Sequence, residues 1–299
     1  MDQYEVIIIG GSYAGLSAAM ALGRSLKQTL VIDSGKPCNR QTPHSHNFLT
    51  RDGQTPKELS AIARQQVEKY ETVTFFDGTA SAATKTSDGF TVSTRSKDMF
   101  HGQKLIFATG IKDEMPDIPG FSECWGISVI HCPYCHGYEY RGKKTGIFAP
   151  GEKALHLAPL VNNLTDKLTL LTNGESGFTP EQANKLEKHN IRIEEREVTK
   201  ISHQNGYLES VMLKDGGKLE LDAMYASVPF TQHSDIPASM GCKLTDQGYI
   251  ETDAFQKTTV PGIYACGDNS SGMRSIATAV STGSLTGAMV NMELTNEKF

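Results

Sequence analysis

The sequence predicts an α/β protein of two doubly wound units in three-layer arrangement, the first interrupted by the second. Three observations carry that expectation. Residues 5–33 (EVIIIGGSYAGLSAAMALGRSLKQTLVID) run apolar strand, Gly-rich turn, Ala-rich helix and a second apolar strand closed by an acid. Residues 143–174 (KKTGIFAPGEKALHLAPLVNNLTDKLTLLTNG) repeat that order in degraded form. The segments KDEMPDIPGF (112–121) and PFTQHSDIPASMG (229–241) break periodic structure and bracket the second copy, as linkers do. The expected division is residues 1–113 joined with 240–299 as one discontinuous domain, and 114–239 as a smaller insert. A chain of 299 residues suffices for two such cores.

The first strand–turn–helix–strand unit reads as a Rossmann-like dinucleotide site. In such a turn the first glycine makes the tight bend, the second lets the backbone approach a pyrophosphate, and the third lets helix and strand pack closely. Those positions hold Gly10, Ser12 and Gly15, with Tyr13 and Ala14 opening the helix. Serine in the second place keeps a short side chain and adds a hydroxyl donor. Asp33 closes the second strand, where a carboxylate can accept from both ribose hydroxyls. Two later segments extend the site. KLIFATG (104–110) ends a short strand in Ala108, Thr109 and Gly110, and TTVPGIYACGD (258–268) ends a buried strand in Gly267 and Asp268. Open α/β sheets bind ligands beyond the carboxyl ends of their strands, so Asp268 is suited to hold a sugar or ribityl hydroxyl of a long cofactor.

Composition narrows the function classes. Lys and Arg number 29 against 34 Asp and Glu, a formal charge of -5, which leaves no general basic footprint for nucleic acid or an anionic membrane. The opening MDQYEVIII has no basic leader, and no apolar run approaches a bilayer span, so the expected setting is cytoplasmic. The six cysteines (Cys38, Cys124, Cys132, Cys135, Cys242 and Cys266) include one close pair. In a reducing compartment that argues for redox or metal chemistry over a disulfide framework.

The pair lies in HCPYCHGYE (131–139), on which three chemistries can be written. Covalent haem attachment through C-x-x-C-H requires export, which the sequence gives no sign of. Zinc needs about four ligands, and the other cysteines are isolated, leaving only His131 and His136 to assist. A structural disulfide across so short a loop closes little chain entropy. Redox cycling remains, with Cys132, Cys135, His131 and His136 as catalytic candidates: one cysteine attacks, the other resolves, and imidazoles stabilise a thiolate or move its proton.

Taken in order, the glycine fingerprint, the ATG and the Y-A-C-G-D resemble the FAD-binding parts of the two-dinucleotide flavoprotein disulfide reductases, over nearly the whole chain. The C-x-x-C in the insert resembles the low-molecular-weight thioredoxin reductases. That resemblance implies that Cys135 exchanges electrons with the flavin and Cys132 meets the substrate. It implies FAD contacts at Gly10, Ser12, Tyr13, Ala14 and Gly15, and at Asp33, Ser34, Lys36 and Arg40. Further contacts are implied at Asn47 and Ala80, at Ala108, Thr109 and Gly110, and at Gly267 and Asp268. Ser275 and Ile276 would open a helix aimed at the flavin pyrimidine, and a homodimer is expected.

The departures from the family pattern are informative. His136 stands where the family has Asp, and an imidazole is the better base for taking protons from incoming thiols. Arg274, Ser275 and Ile276 replace an Arg-Gln-Ala that opens the last helix. In the insert, the family's G-G-G-x-x-A becomes Ala149, Pro150, Gly151 and Ala154, and Pro150 removes a backbone N–H that could face a pyrophosphate. After the next strand Leu-Thr-Asn-Gly-Glu replaces an arginine cluster, and Glu175 would repel a 2'-phosphate. NADP(H) is therefore doubtful.

The histidine pair and HNFLTRDG (46–53) resemble one branch, the FAD-dependent dithiol oxidases of gliotoxin and holomycin type. These close disulfides in epidithiodiketopiperazine and dithiolopyrrolone natural products. The function expected is thus FAD-dependent thiol–disulfide exchange through Cys132 and Cys135, favouring dithiol oxidation with an acceptor such as oxygen. Alternatives are a thioredoxin reductase fed by NADPH, NADH or ferredoxin, and a flavin redox sensor without turnover. The partner would be a small-molecule dithiol or disulfide, or a thioredoxin-like protein. His44 and His46 are expected to be surface loop residues.

Overall fold

The computed structural model describes residues 2–299. The chain forms two compact units. The first comprises the residues up to Arg40, Gln54–Lys112 and Phe230–Phe299, and the second comprises Gln41–Gly53 with Asp113–Pro229. Two boundaries differ from the sequence expectation. The chain returns to the first unit at Phe230, not near 240, because the one-turn helix Ile236–Ser239 buries Ile236 in that unit's core beside Cys242 and Ile250. Residues 41–53, expected in the first domain, fold with the second, where Gln41 and Thr42 press so closely on Gly126 that a side chain there would meet them at 3.0–3.1 Å.

The first unit is built on four parallel strands in the order Val73–Asp77, Thr29–Asp33, Asp2–Ile9 and Met99–Phe107. A strand flanked on both sides by parallel neighbours is covered on both faces, which is why Val6, Ile7 and Ile8 form an unbroken apolar run with no exposure. The strand expected over 104–110 begins earlier, at Met99, and ends at Phe107. Its first half pairs antiparallel with Phe90–Thr94, and Leu105–Phe107 pairs in parallel with Ile263–Ala265. The carboxyl ends of these parallel strands therefore point the same way, which sets Gly10, Asp33, Ala108 and Gly267 along one rim.

The helices Tyr13–Arg24 and Ile276–Lys298 pack at close range because small residues face each other. A Cβ on Gly283 would sit 2.1 Å from the Ala14 carbonyl oxygen. The last helix is also tied electrostatically. Lys104, with a side chain only 8% exposed, donates to Glu293 at 2.7 Å and Glu297 at 2.5 Å, while Tyr264 and Lys257 also reach Glu293.

The second unit has a five-stranded parallel sheet in the order Arg192–Glu194, Leu168–Leu171, Thr145–Phe148, Ala223–Ala226 and Val129–Ile130. The helices Gly151–Asn162 and Pro180–Lys188 connect successive parallel strands. An antiparallel sheet of Val198–Gln204, Tyr207–Leu213 and Lys218–Glu220 shares a core with Phe121, Trp125 and Val129. Both units are thus Rossmann-type α/β folds. Among the described residues no helix is long and apolar enough to cross a membrane.

Candidate active site

The rim of the first unit forms a cradle. Gly10 has φ +107°, and a Cβ there would lie 2.2 Å from the Ala108 carbonyl oxygen; one on Gly15 would lie 1.8 Å from the Gly10 oxygen. No side chain fits at either place, so the backbone itself lines the turn. Ser12 caps the helix Tyr13–Arg24 without spending its hydroxyl on the cap. That leaves the hydroxyl and the positive end of the helix for an anion. Asp33 accepts the Gly11 N–H through Oδ1 at 3.1 Å, which orients the carboxylate. Ser34, Lys36 and Arg40 follow in an exposed loop, and the Arg40 guanidinium donates to the Pro37 carbonyl at 3.1 Å. Ala80 opens a strand packed on the unit's core. Thr109 and Gly110 follow the strand ending at Phe107, and Gly267 takes φ +84° with its N–H donated to Thr282 Oγ1 at 3.1 Å. Asp268 faces Arg274 at 3.9 Å. Ser275 is the N-cap of the last helix and accepts the Thr278 N–H at 3.1 Å, so its side chain serves the cap, and Ile276 begins the helix. A backbone-lined turn, a helix N-terminus and an oriented carboxylate are the donor set a dinucleotide requires. One further residue completes the rim. Buried Asn269 donates to the Phe107 carbonyl at 2.8 Å and to Thr109 Oγ1 at 3.2 Å, joining two strand ends that are 160 residues apart in sequence.

The dithiol lies in the second unit. Cys132 is the N-cap of the one-turn helix Pro133–His136, whose first position is the proline, so the turn is preset by fixed φ. The Cys132 and Cys135 sulfurs are 2.9 Å apart and half-buried. Closing to a bond of about 2.05 Å needs under about 1 Å of movement. Gly137 follows because nothing larger fits: a Cβ there would lie 2.3 Å from the Pro133 oxygen and 2.4 Å from Leu164 Cδ1. Burial, reinforced by the neighbouring His46, pushes the His136 imidazole below its ordinary value, and Glu139 opposes without reversing the shift. His136 is thereby held as a neutral base. His131 instead packs against the Trp125 indole, with centroids 6.2 Å apart.

Two side chains near the dithiol, Tyr225 and His46, escape sequence reasoning. Burial and the adjacent Cys132 push the Tyr225 hydroxyl well above its ordinary value, so it stays protonated. Its hydroxyl can therefore donate to a thiolate. His46, expected on an exposed loop, has a side chain only 21% exposed and sits between Asp52 and Glu139, at 3.5 and 3.6 Å. Asn47, expected from the resemblance as an FAD contact, lies in this same unit with φ +59°, exposed, its N–H donated to Asp52 at 2.7 Å. Among the described residues no group of three or more His, Cys, Asp or Glu is placed to hold a metal ion.

The second unit's own nucleotide-like turn lacks phosphate chemistry. Pro150 caps the helix Gly151–Asn162 and offers no N–H. Beyond the strand Leu168–Leu171, the Asn173 amide oxygen is consumed by the Val198 N–H at 2.7 Å, and Glu195 accepts the Ser176 N–H at 2.8 Å. Arg196 is committed to Glu194 at 2.6 Å and Asp215 at 2.7 Å. These residues do not fit a 2'-phosphate.

Residues 4–283 match the family described as pyridine nucleotide-disulphide oxidoreductase. A thioredoxin reductase of Claviceps purpurea, tcpT, is 32% identical over 301 residues, 97% of this chain and 94% of the relative. A thioredoxin reductase of Aspergillus oryzae, aclD, is 32% identical over 303 residues, 97% and 96% of the two chains. The crystal structure of an oxidoreductase from Agrobacterium tumefaciens superposes with a TM-score of 0.92 at 37% identity, covering 99% of both chains.

Proposed function

The chain belongs to the pyridine nucleotide-disulphide oxidoreductase family, and on that premise we propose that this FAD-dependent, thioredoxin reductase-like enzyme oxidises a small-molecule dithiol through Cys132 and Cys135. The observation that carries the reading is the cysteine pair, 2.9 Å apart, beside an imidazole kept neutral by burial. The Gly10–Gly15 turn would hold the FAD pyrophosphate, Asp33 a ribose, and Gly267 with Asp268 the ribityl end. What FAD supplies when bound is a two-electron acceptor for the reduced pair, with oxygen as the acceptor beyond it.

The chain's own chemistry starts from the Cys132–Cys135 disulfide. His136 takes the proton of a substrate thiol, and the thiolate attacks Cys132 Sγ, releasing Cys135 as a thiolate. The second substrate thiol, deprotonated in turn, attacks the substrate sulfur of the mixed disulfide and releases Cys132. One S–S bond forms in the substrate and one opens in the protein, so two electrons pass to the cysteine pair. The protonated Tyr225 hydroxyl beside Cys132 stabilises the thiolate left there. The acidic, arginine-poor surroundings of the second unit's turn support electron entry from the dithiol over entry from NADPH.

A second reading, reduction of a thioredoxin-like disulfide with NADPH, NADH or ferredoxin as donor, is favoured by the names of the relatives. The proposal includes a homodimer in a cytoplasmic setting. Anaerobic stopped-flow mixing with dithiothreitol, NADPH and NADH side by side tests it. The dithiol should bleach the flavin, air should restore it over repeated cycles, and NADPH should act slowly. Fast bleaching at low NADPH would overturn the oxidase reading in favour of the reductase. A single bleaching without sustained turnover would mark a redox sensor.

A further inference from the structure

Oxidation of a dithiol brings two protons to a site where His136 can take one at a time, so the first must leave before the second arrives. We propose that His46 is the proton exit, receiving what His136 collects and passing it to solvent between Asp52 and Glu139. This rests on the dithiol-oxidase reading and deepens it.

Geometry supports the transfer. The His46 and His136 rings meet edge-on, with centroids 6.3 Å apart and planes at 87°, a gap one water can bridge. Each His46 nitrogen faces a carboxylate: Nδ1 faces Asp52 Oδ2 at 3.5 Å and Nε2 faces Glu139 Oε1 at 3.6 Å. A ring so flanked can accept at one nitrogen and release from the other. The carboxylates lead outward, since Asp52 is 66% exposed and Glu139 37%, whereas His46 itself is 21% exposed. Burial makes His136 favour neutrality, so a proton collected there is readily given up.

The loop is built to hold that ring. Asp52 also accepts the Asn47 N–H through Oδ1 at 2.7 Å, so one carboxylate fixes both backbone and imidazole. His44 Nδ1 bonds the Gly53 carbonyl at 2.9 Å, and the Gly53 N–H donates to Ser45 O at 2.9 Å. Asn47 and Thr50 are held at φ +59° and +72°. A β-branched residue in that region is strained, and such strain persists where neighbouring bonds over-determine it, commonly at functional segments. The charged and titratable groups around His46 are Asp52 and His44 from its own loop, and His136 and Glu139 from the cysteine turn and the residues after it.

The balance is complete. Two substrate S–H bonds break, the Cys132–Cys135 disulfide opens to two thiolates, one substrate S–S bond forms, and two protons exit through His136 and then His46. Because His46 acts through His136, its role is one of positioning and relay, and the test reads protons directly. Oxidised holoenzyme is mixed anaerobically with dithiothreitol in weak buffer containing a pH indicator, and indicator and flavin signals are followed together. Wild-type release should keep pace with bleaching. In His46→Gln both should slow about tenfold near pH 7 and recover with added imidazole. Glu139→Gln, which leaves the loop's own bonds intact, should slow release similarly and displace the acid limb of the pH profile. Wild-type release in both variants between about pH 6 and 8, or slowing that imidazole does not relieve, would overturn the relay. If dithiothreitol fails to bleach the wild type, the oxidase reading falls and takes the relay with it. If it bleaches wild type and variants alike, the relay alone falls.

Discussion

Replacing His136 by Gln removes the base while keeping a polar side chain of similar reach, and the site fixes how much that loss is worth. Burial and His46 hold the imidazole below its ordinary value. Even at the ordinary value of about 6.5 it would be roughly three-quarters neutral at pH 7, and the shift raises that fraction. A substrate thiol of pKa about 8.5 is only about 3% thiolate at pH 7. Presenting it wholly as thiolate therefore gains at most about 30-fold, well short of the upper range of about 10⁴ for general bases acting on groups that do not ionise in water. The deficit of His136→Gln in anaerobic flavin bleaching by dithiothreitol should accordingly be about 30-fold at pH 7. Its sign with pH is fixed as well. The wild-type rate should fall as pH drops through the lowered His136 value and the ring becomes cationic. The variant should gain about tenfold per pH unit until the substrate thiol ionises unaided, and the two should converge by about pH 9 to 10. A deficit that is constant across pH would refute the base assignment and leave His136 a packing residue, as would equal rates at pH 7.

The cysteine roles separate cleanly: Cys135→Ser should stop flavin bleaching by dithiols, whereas Cys132→Ser should leave a thiolate that perturbs the flavin spectrum without processing substrate, and the reverse pattern would exchange the assignments. Gly10→Ala should yield folded but largely colourless protein, because its Cβ would sit 2.2 Å from the Ala108 oxygen on the cradle wall; a full flavin complement by absorbance would contradict the cradle. Glu293→Gln should destabilise the protein. Burial alone would raise the Glu293 value, but Lys104, Lys257 and Tyr264 outweigh it and hold it at about 2 against an ordinary 4.5. At about 1.4 kcal/mol per unit that is roughly 3 kcal/mol, discounted to about 2 for the shared network, or roughly 4–8 °C in a thermal melt. Because the folded value is depressed, this stability is fully present above 4.5 and lost as pH falls toward about 2, and the variant should lack that dependence. A melt unchanged at pH 7 would show the network to be neutral.

What was legible in the sequence is what neighbouring residues encode. The run from Glu5 to Asp33 announces its strands by unbroken apolarity and its turn by Gly10 and Gly15, and the Cβ clashes at those two positions show why no other residue serves. The spacing of Cys132 and Cys135 set two sulfurs one helical turn apart before any tertiary contact was known. What escaped depends on contacts between distant segments. His46 and Glu139 are 93 positions apart, and nothing local to HNFLTRDG distinguishes a solvated histidine from one pinned between two acids. The clue available was the pairing of His46 with Asp52 six residues on, a separation that only a tight loop can close. Asn269 escaped in the same way, since its partners at Phe107 and Thr109 belong to a strand far away in sequence. The boundary at 41–53 was misplaced because composition marks linkers by proline and glycine, while the allegiance of this loop is decided by its packing on Gly126 and its ion pair with Glu139.

The departures from the family pattern acquire one physical sense when taken with the proposed direction of flow. An enzyme fed by a nicotinamide must present positive charge to a phosphate and protonate the thiolates its substrate releases. One fed by a dithiol has no phosphate to hold, and receives its electrons with two protons attached that must be removed before either sulfur can attack. The residues of the second unit are consistent with both halves of that proposed exchange. Pro150, Glu175 and the committed Arg196 replace donors, while His136, kept neutral by burial, and His46 between Asp52 and Glu139 add acceptors. Acid to base at one residue would be an isolated change; acid to base together with loss of phosphate donors and a second imidazole leading outward is a consistent one. Restoring the family carboxyl by His136→Asp should therefore not restore NADPH oxidation, measured at 340 nm, because the phosphate donors would still be missing. It should instead lower dithiol-driven bleaching near neutral pH, since a carboxylate of ordinary pKa about 4 is too weak a base for a thiol of about 8.5. A His136→Asp protein that oxidises NADPH briskly would break the link between the two halves.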